Sequence, residues 1–225
     1  MVSQGSCIAV GPNGNVYVVW QLGYTKATSI GFVKSTDGGQ NFTNPISIAS
    51  VTQIGTLNND DGMYALKVTQ NNPAGIRINC YPSIAVDPNN GTIYVVWADS
   101  RNGDPDIYFI SGTTDLNGNI TWSNPKRINN DQVGNGKDQW FPWINVASDG
   151  TINVVFYDSR NDPANLSAMV YIARSVDGGS SFVNYQISDA AFTPVPIQNA
   201  NSGYMGDYIG MASTTTDAYP CWMDK

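Results

Sequence analysis

A pair of apolar, β-branched runs recurs four times along this chain, and the recurrence limits it to a stack of antiparallel sheets. Residues 7–10 (CIAV), the turn Pro12-Asn13-Gly14 and residues 16–20 (VYVVW) form the first copy. Residues 83–86 (SIAV) and 93–97 (IYVVW) repeat it around Pro88-Asn89-Asn90-Gly91, and residues 143–146 and 152–156 repeat it around Ser148-Asp149-Gly150. A fourth copy opens at Gly206-Asp207-Tyr208 and runs to Trp222. The closing aromatics Trp20, Trp97, Phe156 and Trp222 are 77, 59 and 66 residues apart. Such runs, punctuated by Gly, Asn and Asp turns, predict all-β blades of strands A to D stacked as a β-propeller. No window carries a helical period.

Each of the first three copies is followed by one turn motif, Ser/Thr-x-Asp-x-Gly-x-x-aromatic. It is carried by Ser35, Asp37, Gly39 and Phe42, and by Ser175, Asp177, Gly179 and Phe182. The middle copy has two extra residues and uses Thr113, Asp115, Gly118 and Trp122. An Asp side chain accepts backbone N–H groups inside a tight turn, and the following Gly takes the positive φ that closes it. The aromatic opens the return strand and packs on the sheet. These corners are read as structural.

The motif resembles the Asp-box (BNR repeat) of the sialidase, or neuraminidase, superfamily of β-propellers. The resemblance implies four-stranded blades at about 5–50, 81–129, 141–188 and 204–225 of one partial propeller over 1–225. A propeller has about 4–8 blades, and three blades plus the start of a fourth lead us to expect an internal piece of a parent with six or more. The missing blades, or a second copy, would then close the ring. The activity implied is an exo-α-sialidase type of glycoside hydrolysis, with an arginine triad on the substrate carboxylate, a Tyr nucleophile with its Glu, and an Asp acid/base. All 18 acidic residues here are Asp, so this chain supplies no Glu. Arg77-Ile78-Asn79 and Arg127-Ile128-Asn129 match the family's Arg-Ile-Pro element only superficially. The alternative is a non-catalytic carbohydrate- or protein-binding propeller on a bacterial surface.

Absent residue types restrict the chemistry further. Without His, neither a Ser–His or Cys–His nucleophile nor a His-ligated zinc can form. A net charge of −7 argues against a nucleic-acid surface, and no apolar run is long enough to span a membrane. Low charge density with abundant Asn, Gly, Ser and Thr points to an exported protein, secreted or on the cell surface. No cofactor is expected. Calcium is the one ion worth weighing, at Asp104-Pro105-Asp106 and Asn58-Asn59-Asp60-Asp61-Gly62, against solvated turns. Cys7, Cys80 and Cys221 are read as free thiols, with a Cys7–Cys80 bridge as the alternative.

Candidate site residues fall on the face opposite the corners. After strand B, Asp99-Ser100-Arg101-Asn102 and Asp158-Ser159-Arg160-Asn161 are nearly identical, while Leu22-Gly23-Tyr24 stands in their place in the first copy. Arg101 and Arg160, oriented by Asp99 and Asp158, either face a central funnel and bind a sugar or brace each loop against the next. The long connections, 50–79, 129–141 and 189–205, are the other candidates. Trp140, read as exposed among amides, is a platform for a sugar ring or a packing residue. Asp207 as acid, with Tyr208 or Tyr204 as nucleophile, is the catalytic candidate that the resemblance implies.

Overall fold

The computed structural model describes residues 3–23, 25–58, 62–200 and 203–224. The chain is all-β, with no helix among those residues, and its antiparallel sheets are arranged as the blades of a β-propeller. The first blade is β1 (Ser3–Val10), β2 (Val16–Leu22), β3 (Ser29–Ser35) and β4 (Ile46–Ser50), paired in that order. A small sheet follows, β5 (Thr56–Leu57), β6 (Tyr64–Leu66) and β7 (Ile76–Arg77). The second blade comprises β8 (Ser83–Val86), β9 (Ile93–Asp99), β10 (Asp106–Thr114) and β11 (Ile120–Trp122), with β12 (Lys126–Arg127) also pairing β10. The third is β13 (Gln139–Val146), β14 (Ile152–Asp158), β15 (Met169–Ser175) and β16 (Val183–Gln186). The fourth has two described strands, β17 (Gly210–Ser213) and β18 (Ala218–Cys221).

Alternation along the strands decides how the blades stack. The face of β2 carrying Tyr17 and Val19 is buried toward the second blade, where Phe32 meets Trp122 edge-on, ring centroids 5.1 Å apart. The same contact recurs one blade on, between Phe109 and Phe182 at 5.2 Å. Trp122 and Phe182 are thus each the partner of a strand-C aromatic in the preceding blade, whereas Phe42 of the first corner is exposed and does not pack as expected. Trp97 and Phe156 are fully buried, but Trp20 in the equivalent slot is half-buried. It lies over Gly31, where a Cβ would fall 2.3 Å from the indole, and Ile8 and Val10 beside it are exposed. The other half of the first blade's apolar pattern is therefore uncovered among the described residues.

The corners close as their side chains dictate. Ser35 Oγ accepts from Gly39 N at 2.9 Å and donates to Asp37 Oδ1 at 2.7 Å, while that oxygen accepts from Gln40 N and Asn41 N. Ser175, Gly179 and Asp177 repeat this geometry, and Asp115 accepts from Asn117 N and Asn119 N in the longer copy. These bonds hold Asp37 down at about 2 and lower Asp115 and Asp177 as well. Gly179 has φ +86°, and a Cβ there would stand 2.5 Å from Phe109. Lysines tie neighbouring corners together: Lys34 Nζ donates to Gly118 O, and Lys126 Nζ to Gly179 O.

Two features depart from the sequence reading. The connection 50–79 is not a plain loop but carries the β5–β7 sheet. Trp140 is not exposed: β13 begins at Gln139, two residues ahead of the expected 141, and draws Trp140 into the core at 1% exposure. A register shift between Trp140 and Trp143, with Phe141 at φ 50°, lets both indoles turn inward from one strand.

Candidate functional site

Gln139 at the start of β13 pairs with Asp158 at the end of β14, so inner-strand starts and the loops after strand B share one face. The corners fall on the other. On the shared face the heads of all four inner strands converge on one cavity of about 280 Å³. Ser6 and Cys7 of β1, Asn79, Tyr81 and Ser83 ahead of or in β8, Phe141 and Trp143 of β13, and Asp207 and Tyr208 ahead of β17 line it.

Asp207 is gripped from several sides. Arg77 Nη2 donates to both its oxygens, at 2.9 and 3.2 Å, Asn79 Nδ2 reaches Oδ1 at 3.3 Å, and Tyr204 OH donates to Oδ2 at 3.3 Å. The Arg77 guanidinium also sits 4.5 Å from the Tyr204 ring centroid. Tyr208 is 59% exposed and stands 5.9 Å from Tyr81 at 34°, the two rings forming a tilted wall. Partial burial and the Asp207 charge raise the Tyr208 hydroxyl, and Asp207 above all raises that of Tyr204. Tyr81 is itself fixed, its hydroxyl donating to Gln4 Oε1 at 2.7 Å. Only a glycine fits at position 5, φ +63°, where a Cβ would come within 2.2 Å of the Tyr81 ring.

The Asp-x-Arg loops lie on the same face but fold inward on themselves. Arg101 bonds both Asp99 oxygens and, through Nη2, Ser50 O at 2.8 Å, with its guanidinium 4.3 Å from the Tyr108 ring. Trp97 Nε1 donates to Asp99 Oδ2 at 3.0 Å. Arg160 likewise bonds Asp158, reaches Asn130 and Asn184, and stacks 4.3 Å over Tyr171. Both carboxylates are fully buried. Burial raises Asp158 against the opposing pull of Arg160, and the Asp99 hydrogen bonds raise Arg101. This geometry is that of bracing, and neither arginine lines the cavity.

Between the second and third blades the amides bond one another. Asn129 Nδ2 reaches Asp106, Asp131 and Gln139 within 2.7–2.8 Å, and Gln139 Nε2 continues to Asp158. Lys67 is not among the residues singled out from the sequence, yet it is buried with Nζ 2.6 Å from Asp138, 2.8 Å from Ser159 Oγ and 4.8 Å from the Trp140 ring centroid. Its only signal was a lone Lys beside Tyr64-Ala65-Leu66.

Among the described residues no group of three or more His, Cys, Asp or Glu could hold a metal ion. Asp104 accepts from Gly136 N and Asp106 pairs with Arg127; Asn59, Asp60 and Asp61 lie outside the described residues, as does Tyr24. Cys7, Cys80 and Cys221 are free, and burial pushes the Cys80 thiol up to about 12. No helix of the described residues is long and apolar enough to cross a membrane.

No protein-family model and no curated protein matches the sequence. Solved structures do match, as folds. A Hadza microbial sialidase superposes with TM-score 0.51 at 16% identity, over 82% of this chain and 37% of that one. The leech intramolecular trans-sialidase gives 0.53 at 9% identity, over 84% and 44%. The Penicillium chrysogenum α-L-arabinanase, complexed with arabinobiose, gives 0.50 at 15% identity, over 85% and 50%. The chain therefore spans half or less of the length of these structures, and what it shares with these glycan-active propellers is the fold.

Proposed function

We propose that this chain is part of a secreted, sialidase-like propeller of the Asp-box type that recognises glycans in the cavity at the head of its inner strands. The observation that carries the reading is the convergence there of an aromatic wall, Tyr81, Tyr208 and Trp143, with the polar edge of Asn79 and Asp207. Sugar rings need that pairing: an apolar surface for the ring face and fixed donors and acceptors for the hydroxyls. The propeller neighbours include two sialidase-type enzymes and an arabinanase, which supports a glycan as ligand.

Binding is favoured over hydrolysis. A tyrosine nucleophile needs a base to take its proton, yet the Tyr208 hydroxyl is shifted toward the protonated form and the chain holds no Glu. One observation favours the enzyme reading instead: Arg77, Asp207 and Tyr204 form a single bonded cluster at the cavity. In that reading Asp207 is the acid/base, and the remaining catalytic groups lie in further blades of a longer protein.

A glycan panel tests binding, and fluorophore release from α-sialosides and α-L-arabinosides tests turnover. Glycan capture lost on changing Tyr208 to Ala supports the binding reading. Turnover lost in Asp207→Asn would favour the enzyme. A folded protein that captures no glycan would refute the proposal.

A further inference from the structure

The cavity's charge inventory points to the class of sugar, an inference that rests on the glycan reading above. Of the described residues lining it, Asp207 is the only charged one, and no described Lys or Arg is in the wall. The charge of Asp207 is itself offset, because Arg77 Nη2 contacts both carboxylate oxygens from outside the lining. The surface that the described residues offer to a ligand thus has no free cation and no free anion. Its other features are the Tyr81–Tyr208 wall, the Trp143 indole and the hydrogen-bonding edge of Asn79 and Ser6.

A carboxylate-bearing sugar entering here would lose water without gaining a cationic partner, at a cost that one aromatic wall does not offset. An ammonium ligand would find aromatic faces, but only a carboxylate already neutralised by Arg77. A neutral ring suffers neither penalty. The volume, about 280 Å³, is enough for a sugar ring, and past Ser6, Cys7 and Trp143 the space continues into a wider opening of about 630 Å³ that has no charged residue among its described lining.

We propose that the cavity binds a neutral sugar, with one ring stacked on Tyr208 beside Tyr81, and discriminates against sialic and uronic acids.

The test is calorimetric titration of the chain with lactose, arabinobiose, 3′-sialyllactose and tetramethylammonium, each at low and at physiological salt. Tyr208→Ala and Tyr208→Phe are run beside the wild type, since the exposed Tyr208 side chain can be truncated without opening the core. We expect a neutral saccharide to bind with no salt dependence. Removing the Tyr208 ring should weaken it about tenfold, and Tyr208→Phe should keep it within about twofold, because stacking needs the ring and not the hydroxyl. Tighter, salt-sensitive binding of 3′-sialyllactose, lost in Tyr208→Ala, would overturn the neutral-sugar assignment and leave the glycan site standing. Tetramethylammonium binding in preference to every saccharide, or no binding of any saccharide, would overturn both.

Discussion

Lys67 Nζ lies 2.6 Å from Asp138 Oδ2 across 71 residues of sequence, both side chains more than nine-tenths buried. The contact joins the excursion after the first blade directly to the third, passing over the second. Ser159 Oγ and Asn165 Oδ1 complete the ammonium's shell, and Arg77–Asp207 ties the same excursion to the segment ahead of the fourth blade. The small β5–β7 sheet is therefore a strap over the face that carries the cavity.

Breaking that pair from one side should be costly. Burial pulls the Lys67 ammonium below its usual range, with the Asp138 charge opposing it. Lys67→Met should destabilise the chain by about 3–5 kcal/mol, because Asp138 is left buried without its counter-charge. Adding Asp138→Asn should restore most of the loss, since the cost lies in the unpaired charge. Urea unfolding of the two variants checks this, and an equal loss in both would contradict the pairing.

Arg101 and Arg160 are expected to matter for stability and not for sugar binding. Arg101→Ala leaves the fully buried Asp99 with Trp97 Nε1 and backbone donors only, for a loss of about 1–3 kcal/mol. Saccharide affinity should stay unchanged in the same protein. Lost binding with intact stability would return these arginines to the ligand site.

Equivalent slots should respond unequally. Trp97 is fully buried between sheets, so Trp97→Ala should cost about 3–5 kcal/mol. Trp20 is half-buried on an uncovered face, and Trp20→Ala should cost about 1 kcal/mol, chiefly its packing over Gly31. Thermal or urea unfolding of the two variants in parallel gives the ratio; equal losses would mean that something covers the first blade in solution.

These pairs also mark what could be read from the sequence. The strands and corners were legible because they are local: alternation sets the faces, and Asp37, Asp115 and Asp177 bond atoms only a few positions away. Trp140 was misread as exposed because its neighbours are amides and carboxylates. Those groups are buried with it and satisfy one another, Gln139 to Asp131 and Asp158, a pairing no linear pattern encodes. Lys67 was missed for the same reason: its partners sit on the third blade. Asp207 and Tyr208 were legible as candidates through the repeat, which set them at the head of an inner strand, together with the roles that the family resemblance implies. Their partner Arg77 lies 130 residues away.

Acid should weaken the fold through the corners. In the unfolded chain Asp37 titrates near 3.8, and in the folded corner at about 2, so the unfolded state holds more protons between those values. Stability from Asp37, and from Asp177 and Asp115, which are shifted the same way, is fully present above pH ~4 and drains as pH falls toward ~2. Asp158 and Asp104, raised by burial, act with the opposite sign, so the total slope is not diagnostic. The comparison with variants is. Asp37→Asn and Asp177→Asn cannot ionise, so each should be less stable than wild type at neutral pH and approach it as pH drops through that window. Urea midpoints at pH 6 and at pH ~2.5 measure the gap. A gap that stays constant would show that the corner carboxylates are not preferentially ionised in the folded state.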